Sequence, residues 1–148
     1  MVANPTELIT SDKNNTVKLV KGLLTQARQR KKHSQTVLEG VHLIDAALRS
    51  DYPFAQILLA ESAHTHPEVG QLLTRLPSHT PIITLSDSLY ESIRSLGTGI
   101  DIMALITIPT PSLPMLAGDC LMLSDGEDSG SVGTLLRTAA AVGIPHVL

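Results

Sequence analysis

The chain has 148 residues, of which 43% are hydrophobic and 17% are charged, and its formal net charge is −3. This composition predicts a folded α/β protein with room for one domain and part of a second. Only 2% of the residues are aromatic and none is tryptophan, which argues against recognition of nucleic acid bases on an aromatic platform.

The first long element predicted is a basic helix over residues 14–30, in which four apolar residues from Val17 to Ala27 keep helical spacing. Its cations belong to a block that precedes the next acid, Glu39. Such a block is a candidate phosphate-facing surface, because cations release counterions from a nucleic acid backbone, although a solvated helix face explains it equally well. The block comprises Lys13, Lys18, Lys21, Arg28, Arg30, Lys31 and Lys32.

Strands and helices are then predicted to alternate. Strands are expected over residues 36–38, 56–60, 81–85 and 100–108, the last as a central strand. Helices are expected over residues 41–49 and 67–76, and from a capping box of Ser88 and Glu91 to Leu96. This alternation indicates an α/β sandwich. A proline-rich linker over residues 109–117 is predicted to separate residues 1–108 from a second unit over residues 118–148.

The chain has one cysteine and six histidines that could ligate a metal, but the positions of these residues in the sequence disfavour a metal site. Cys120 is the only cysteine, so it forms no disulfide within the chain and is expected to be buried. Glu61, His64, His66 and Glu68 lie on a loop and not on one helical face, so no metal site is predicted. The other candidates, His42 and His146, are expected to be partly buried structural residues.

The most informative segment runs from an apolar strand at Leu121 through an acidic, glycine-rich turn into a helix that carries one arginine. A phosphate-binding P-loop is excluded, because no lysine precedes Thr134 and the acidic side chains of the turn would repel phosphate. A calcium loop is disfavoured: Asp125, Glu127, Ser129 and Gly130 fit, but Leu136 stands where a bidentate glutamate is needed.

A purely structural strand-to-helix connection would use Ser131 as the N-cap and Gly143 as the C-terminal stop. That interpretation leaves Arg137 unexplained. Gly133 lies four residues before Arg137 on the same helical face, so a ligand or a backbone could approach the guanidinium closely. The apolar stripe of this helix is expected to consist of Val132, Leu135, Leu136 and Ala139.

The sequence of this segment resembles the first signature of the SpoU (TrmH-type) RNA 2'-O-methyltransferases of the knotted SPOUT superfamily. That signature is Asp-Pro-Gly-Asn-x-Gly-x-x-x-Arg-Thr-Ala. Here it stands as Asp128-Ser129-Gly130-Ser131-Val132-Gly133-Thr134-Leu135-Leu136-Arg137-Thr138-Ala139, with Ser129 for the proline and Ser131 for the asparagine. Upstream, the stretches around Asn14, Lys18, Arg30 and residues 37–44 resemble the family's substrate-recognition domain.

The resemblance implies a ribosomal-protein-like α/β/α recognition domain, followed by the first strand–helix–strand of a knotted SPOUT domain, truncated at Leu148. It implies methyl transfer from S-adenosylmethionine to a ribose of rRNA or tRNA, with Arg137 and Ser131 in the catalytic constellation. Arg137 is expected to clamp a phosphate or an oxyanion, since a pKa above about 12 makes it a poor base. The cofactor site is expected in a region beyond this chain. The 148-residue chain is therefore expected to be inactive alone.

RNA is the expected partner, with Lys13, Asn14, Lys18, Arg28, Arg30, Lys31 and Lys32 as the candidate RNA-binding residues. Glu39 could pair with Arg30 or contact the RNA directly. The resemblance implies that the whole enzyme is a homodimer. It is expected in the cytoplasm, because residues 1–7 lack a leader and no segment approaches the roughly 20 apolar residues of a membrane span. A non-catalytic RNA-binding module and a generic α/β small-molecule domain remain as alternatives.

Overall fold

The computed structural model describes residues 8–110, 112, 115–126 and 128–148. The chain divides into two compact units, residues 1–109 and 110–148. Residues 1–7, three residues of the expected linker (Pro111, Leu113 and Pro114) and Glu127 of the acidic turn lie outside the described residues.

The first unit is built on a five-stranded mixed sheet. Its strands are β1 (Leu8–Ile9), β2 (Gln35–Glu39), β3 (Phe54–Ala60), β4 (Ile82–Leu85) and β5 (Ile102–Thr107), in the order β1-β4-β3-β5-β2. β1, β4 and β3 are parallel, whereas β5 runs antiparallel to both β3 and β2. The carboxyl ends of β1, β2, β3 and β4 therefore lie at the same edge of the sheet, which we call the carboxyl edge.

Helices cover both faces of this sheet. They are α1 (Asn15–Thr25), α2 (Ala27–His33), α3 (Val41–Arg49), α4 (Pro67–Arg75) and α5 (Asp87–Ile93). Residues 57–60 of β3 and 102–106 of β5 are buried without alternation, which requires cover on both faces of the sheet. α1 contacts α2 and α5, while α3 contacts α4, and this arrangement confirms the predicted α/β/α architecture.

The prediction of a single basic helix is wrong in one respect: the segment forms two helices, α1 and α2, which are separated at Gln26. The backbone there is extended, with φ −133° and ψ 114°, and its N–H still bonds to the carbonyl of Gly22. The Nη1 of Arg30 then donates to the carbonyl of Leu23 at 2.7 Å, which satisfies a helix-end carbonyl that an unbroken helix would have bonded internally. The break lets α2 pack against both α1 and β2.

The fifth helix also differs from its prediction. Its N-cap is Ser86, whose Oγ accepts from the backbone N–H of Leu89, and not Ser88. The helix ends at Ile93 rather than Leu96, because the backbone turns extended at Arg94 and the N–H groups of Ser95 and Leu96 donate to the Glu39 carboxylate. The suggested pairing of Glu39 with Arg30 is therefore wrong.

The second unit contains β6 (Cys120–Leu121), α6 (Ser129–Ala141) and β7 (His146–Val147), with β6 parallel to β7. The N-cap of α6 is Asp128 and not Ser131, because the aspartate carboxylate accepts two backbone N–H groups of the first turn. Gly143 follows the end of α6 with φ +78°, as expected of a glycine stop.

Two burial predictions were wrong. Cys120 is exposed. His42 is exposed on the first turn of α3, on the side away from buried Ile44. Leu135 and Leu136 are each 44% exposed, so only part of the expected stripe on α6 is covered. His146 is half-buried as predicted, and its Nε2 accepts from the N–H of Ala117 at 3.4 Å.

Candidate functional site

The basic block begins at the carboxyl edge of the sheet, where β1 leads into α1. Lys13 is exposed there, and Asn14 is the N-cap of α1. The Asn14 Oδ1 accepts from the N–H groups of Thr16 at 2.9 Å and Val17 at 3.2 Å. Asn14 thus has a structural role in starting the basic helix, and its amide nitrogen is the part left to meet a ligand.

α1 carries the block across the sheet. Its inner face is fixed by buried Val17 and Val20, and Lys18 and Lys21 are exposed three residues apart on one flank. The helix has 11 residues and spans about 16 Å. The cations therefore form a stripe that leads from the carboxyl edge towards the opposite edge of the sheet, where α2 precedes β2.

α2 ends this stripe with a cluster of exposed cations. Arg28, Lys31 and Lys32 are spaced i, i+3, i+4 and share one exposed helix face. Arg30 lies on the other side, half-buried, with its guanidinium on the Leu23 carbonyl. Within the described ranges, no carboxylate lies within 4 Å of these four cations. The three outward side chains are thus available to bind phosphates, and Arg30 also stabilises the break between α1 and α2 through the Leu23 carbonyl.

The glycine-rich turn in the second unit is organised by Asp128. Its carboxylate accepts from the N–H groups of Gly130 at 3.4 Å and Ser131 at 2.9 Å, and from the Ser131 hydroxyl at 2.5 Å. These hydrogen bonds, those from Ser131 first, hold the pKa of the Asp128 carboxyl below its ordinary value. Ser131 is consequently held against the helix cap in the structure.

The guanidinium of Arg137 folds back along α6. A Cβ placed on Gly133 would lie 3.3 Å from the Arg137 Nη1, so the group passes directly over this glycine. The Nη2 donates to the Thr134 Oγ1 at 3.2 Å, and that hydroxyl donates to the Gly130 carbonyl at 3.0 Å. No carboxylate among the described residues lies within 4 Å of Arg137. An exposed cation without an acidic partner is available for an anionic ligand.

Thr134 and Asp128 were missed as site residues by the sequence analysis. A threonine three residues before an arginine on one helix gives a detectable spacing, but nothing in the sequence fixes which way the arginine turns. Asp128 could have been recognised as the cap, since aspartate is preferred at that position and a serine three residues later supplies the N–H.

The two histidines considered above as metal ligands, His64 and His66, each make a hydrogen bond within the protein. Glu61–Thr65 form a 3₁₀ turn, in which the His64 Nε2 lies 2.7 Å from the Thr84 Oγ1. His66 is the N-cap of α4, and its Nδ1 accepts from the Glu68 N–H at 3.3 Å. Across the described part of the chain, no group of three or more histidine, cysteine or acidic side chains could hold a metal ion.

Comparison with protein families gives a match over most of the first unit. The family described as MRM3-like substrate binding domain matches residues 14–104. The 23S rRNA (guanosine(2553)-2'-O)-methyltransferase RlmP of Bacillus subtilis is 31% identical over 144 residues, which cover 95% of this chain and 53% of that protein. The chain thus spans about half the length of the curated relatives it matches.

Solved structures show the same fold. A crystal structure of an RNA 2'-O ribose methyltransferase matches with a TM-score of 0.77 and 24% identity, over 95% of this chain and 54% of that one. The SpoU methyltransferase AviRb of Streptomyces viridochromogenes, in complex with AdoMet, matches with a TM-score of 0.77 and 17% identity, over 91% of this chain and 52% of that one. Among the described residues, no helix has the length and apolarity to cross a membrane.

Proposed function

The chain belongs to the SpoU/TrmH-type RNA methyltransferase family through its MRM3-like substrate-binding domain, and from this we propose that it is part of an rRNA or tRNA ribose 2'-O-methyltransferase. The first unit binds the RNA, and the turn into α6 contributes to the transfer site. The observation that carries the proposal is the Arg137 guanidinium, which lies over Gly133 with no carboxylate nearby among the described residues. RlmP, a relative whose match covers 95% of this chain, is named for this type of reaction.

RNA binding is proposed for the stripe of exposed cations on α1 and α2. Lys13, Lys18, Arg28, Lys31 and Lys32 would contact phosphates, because each is exposed and none has an acidic partner among the described residues. Arg30 and Asn14 support this surface from within, through their bonds to the Leu23 carbonyl and to the first turn of α1.

S-adenosylmethionine, when bound, supplies the methyl group. The cavity between α3 and strands β2 and β5, of about 360 Å³, is lined by apolar side chains such as Leu38, Leu43 and Ile106 with the hydroxyls of Thr36 and Ser50. It has no charged side chain to hold the methionine carboxylate or ammonium, so it does not fit the cofactor.

Arg137 would act on the acceptor ribose. Transfer of a methyl group to a 2'-oxygen requires that the oxygen lose its proton, so negative charge develops there as the new bond forms. A planar guanidinium donates two hydrogen bonds in a fixed geometry and can bind that oxygen or the adjacent phosphate. Electrostatic stabilisation that strengthens in the transition state raises kcat rather than ground-state affinity. Ser131 would support this site from the cap of α6.

The test is Arg137→Ala in the full-length protein, assayed by methyl transfer to RNA. We expect kcat to fall by about 100-fold or more, as for loss of one oxyanion donor, with RNA and cofactor affinities and the melting temperature nearly unchanged. Arg137→Lys should restore little activity, because a point charge does not replace the fork. Full activity in Arg137→Ala would refute the catalytic role.

A non-catalytic RNA-binding module is the second candidate, and the cationic stripe of the first unit favours it. It predicts RNA binding by the full-length protein without methyl transfer to any RNA. We also propose that the whole protein is a homodimer in the cytoplasm. The single cysteine among these 148 residues suits a reducing compartment, and light scattering of the full-length protein would test the dimer.

A further inference from the structure

We propose that Thr134 is a positioning residue, which together with Gly133 holds the Arg137 guanidinium over the first turns of α6. This rests on the proposed function, in which Arg137 is the catalytic residue. Thr134 would act through Arg137 and need not touch the RNA or the cofactor.

The hydrogen bonds leave Thr134 one orientation that serves both of its neighbours. Its hydroxyl proton is used in the bond to the Gly130 carbonyl, at 3.0 Å. The lone pairs of the same oxygen are then left to accept from the Arg137 Nη2, at 3.2 Å. A continuous path thus links the guanidinium to the backbone of the first turn. A hydroxyl fixed at both ends restricts the arginine side chain, which otherwise has many rotamers.

Gly133 provides the space for this arrangement. Any side chain there would place its Cβ 3.3 Å from the Nη1 of Arg137, which is tighter than ordinary van der Waals contact. The Arg137 guanidinium would have to shift by a few tenths of an ångström from this position. The backbone conformation of Gly133 is helical, so the requirement comes from the approach of the guanidinium and not from backbone geometry.

Side-chain direction carries the Arg137 guanidinium away from the C-terminus of α6. Long side chains on a helix point towards its N-terminus, and this guanidinium lies over Gly133 in the second turn, beyond the last turn in which the helix dipole favours a cation. Asp128, the acid nearest in sequence at the start of the helix, has its carboxylate committed to the Gly130 and Ser131 donors. A cation held there with no ion pair among the described residues is available for an incoming anion.

The kinetic test is performed on the full-length protein. Thr134→Val keeps the shape of the side chain and removes the hydroxyl, and we expect kcat to fall about tenfold, as for loss of one hydrogen bond, with the KM for RNA unchanged. Thr134→Ser should restore kcat. Gly133→Ala should raise the melting temperature, because alanine is the better helix former, and yet lower kcat. A merely structural role would move stability and kcat in the same direction.

The second readout is the rotation of the Arg137 guanidinium, followed by NMR of the same protein with labelled arginine. Thr134→Val should speed that rotation, and Thr134→Ser should not. Thr138→Val is the matched control, because the Thr138 Oγ1 makes the same type of bond, to the Thr134 carbonyl at 2.9 Å, whereas the Arg137 guanidinium bonds to Thr134 and not to Thr138. It should leave the rotation unchanged.

The outcomes separate the two proposals. If the native full-length protein methylates no RNA, the proposed function fails. If Arg137→Ala keeps full methyl transfer, the catalytic role of Arg137 fails, and the positioning role of Thr134 fails with it. If Arg137→Ala loses activity while Thr134→Val matches the native protein in kcat and in guanidinium rotation, the positioning role is overturned and the catalytic role stands. Loss of kcat with faster rotation in Thr134→Val, reversed in Thr134→Ser, supports both.

Discussion

Within the first two turns of α6, Asp128 caps the helix and the Arg137 guanidinium folds back over Gly133, and the two side chains form no ion pair. The aspartate satisfies backbone donors that the sequence leaves open, and it offsets the positive end of the helix dipole. The arginine is left for a ligand. This division of roles makes the two residues separable by experiment.

At the residue scale, the Asp128 cap should make the start of α6 sensitive to acid. Its pKa in the folded chain is lowered from the ordinary 3.8, so its stabilisation is present above that value and is lost as the pH falls through the folded pKa. NMR shifts of the Gly130 and Ser131 amides between pH 6 and pH 2 would report the loss. Asp128→Asn keeps a capping oxygen and should remove this pH dependence; an unchanged acid transition in that variant would contradict the prediction.

Ser131 carries a second residue-scale prediction. Ser131→Asn restores the asparagine of the family signature and adds an amide donor, while the backbone N–H can still bond to Asp128. We expect methyl transfer by the full-length protein to be maintained or raised, measured as kcat under saturating RNA. A large loss would mean that the hydroxyl bond between Ser131 and Asp128 is needed for the turn.

At the scale of elements, α2 carries exposed cations on one face and a structural hydrogen bond, from Arg30 to the Leu23 carbonyl, on the other. Replacing Arg28, Lys31 and Lys32 together with glutamine should weaken RNA binding and make the slope of log affinity against log salt shallower by about 2 to 3, since up to three phosphate contacts are lost. The free energy of unfolding should change by less than about 0.5 kcal/mol for each of these exposed sites. Filter binding over a salt series measures the slope.

Arg30→Gln is the control within the same helix. It keeps the exposed cations of the outer face but removes the bond from the guanidinium to the Leu23 carbonyl. It should destabilise the chain by about 1 kcal/mol in denaturant unfolding and leave the salt slope nearly intact. The opposite pattern, with a changed slope in Arg30→Gln and none in the triple variant, would place the RNA on another surface.

At the scale of the whole molecule, we predict that the 148-residue chain by itself neither binds S-adenosylmethionine tightly nor methylates RNA. It spans about half the length of the relatives it matches, and its cavity of about 360 Å³ lacks the charged groups that the cofactor needs. Calorimetry that detected micromolar cofactor binding to this chain would overturn the prediction and would point to a site within these residues.

The sequence by itself determined the order of elements and the principal family signature. Hydrophobic periodicity is local, so it predicted α3 to the residue and located β3 and α4 within about two residues. Gly133 and Arg137 were also identified by their spacing of four on one helical face, and the structure places the guanidinium over that glycine.

Only the tertiary structure decided which polar groups pair. Glu39 is 56 residues from Ser95 in sequence, yet its carboxylate accepts a hydrogen bond from the Ser95 N–H, just after the end of α5. No local sequence pattern encodes this contact. The break at Gln26 likewise depends on Arg30 reaching the Leu23 carbonyl while α2 packs on β2. Propensity and periodicity act over a few residues, whereas these bonds depend on how strands distant in sequence come together in one sheet.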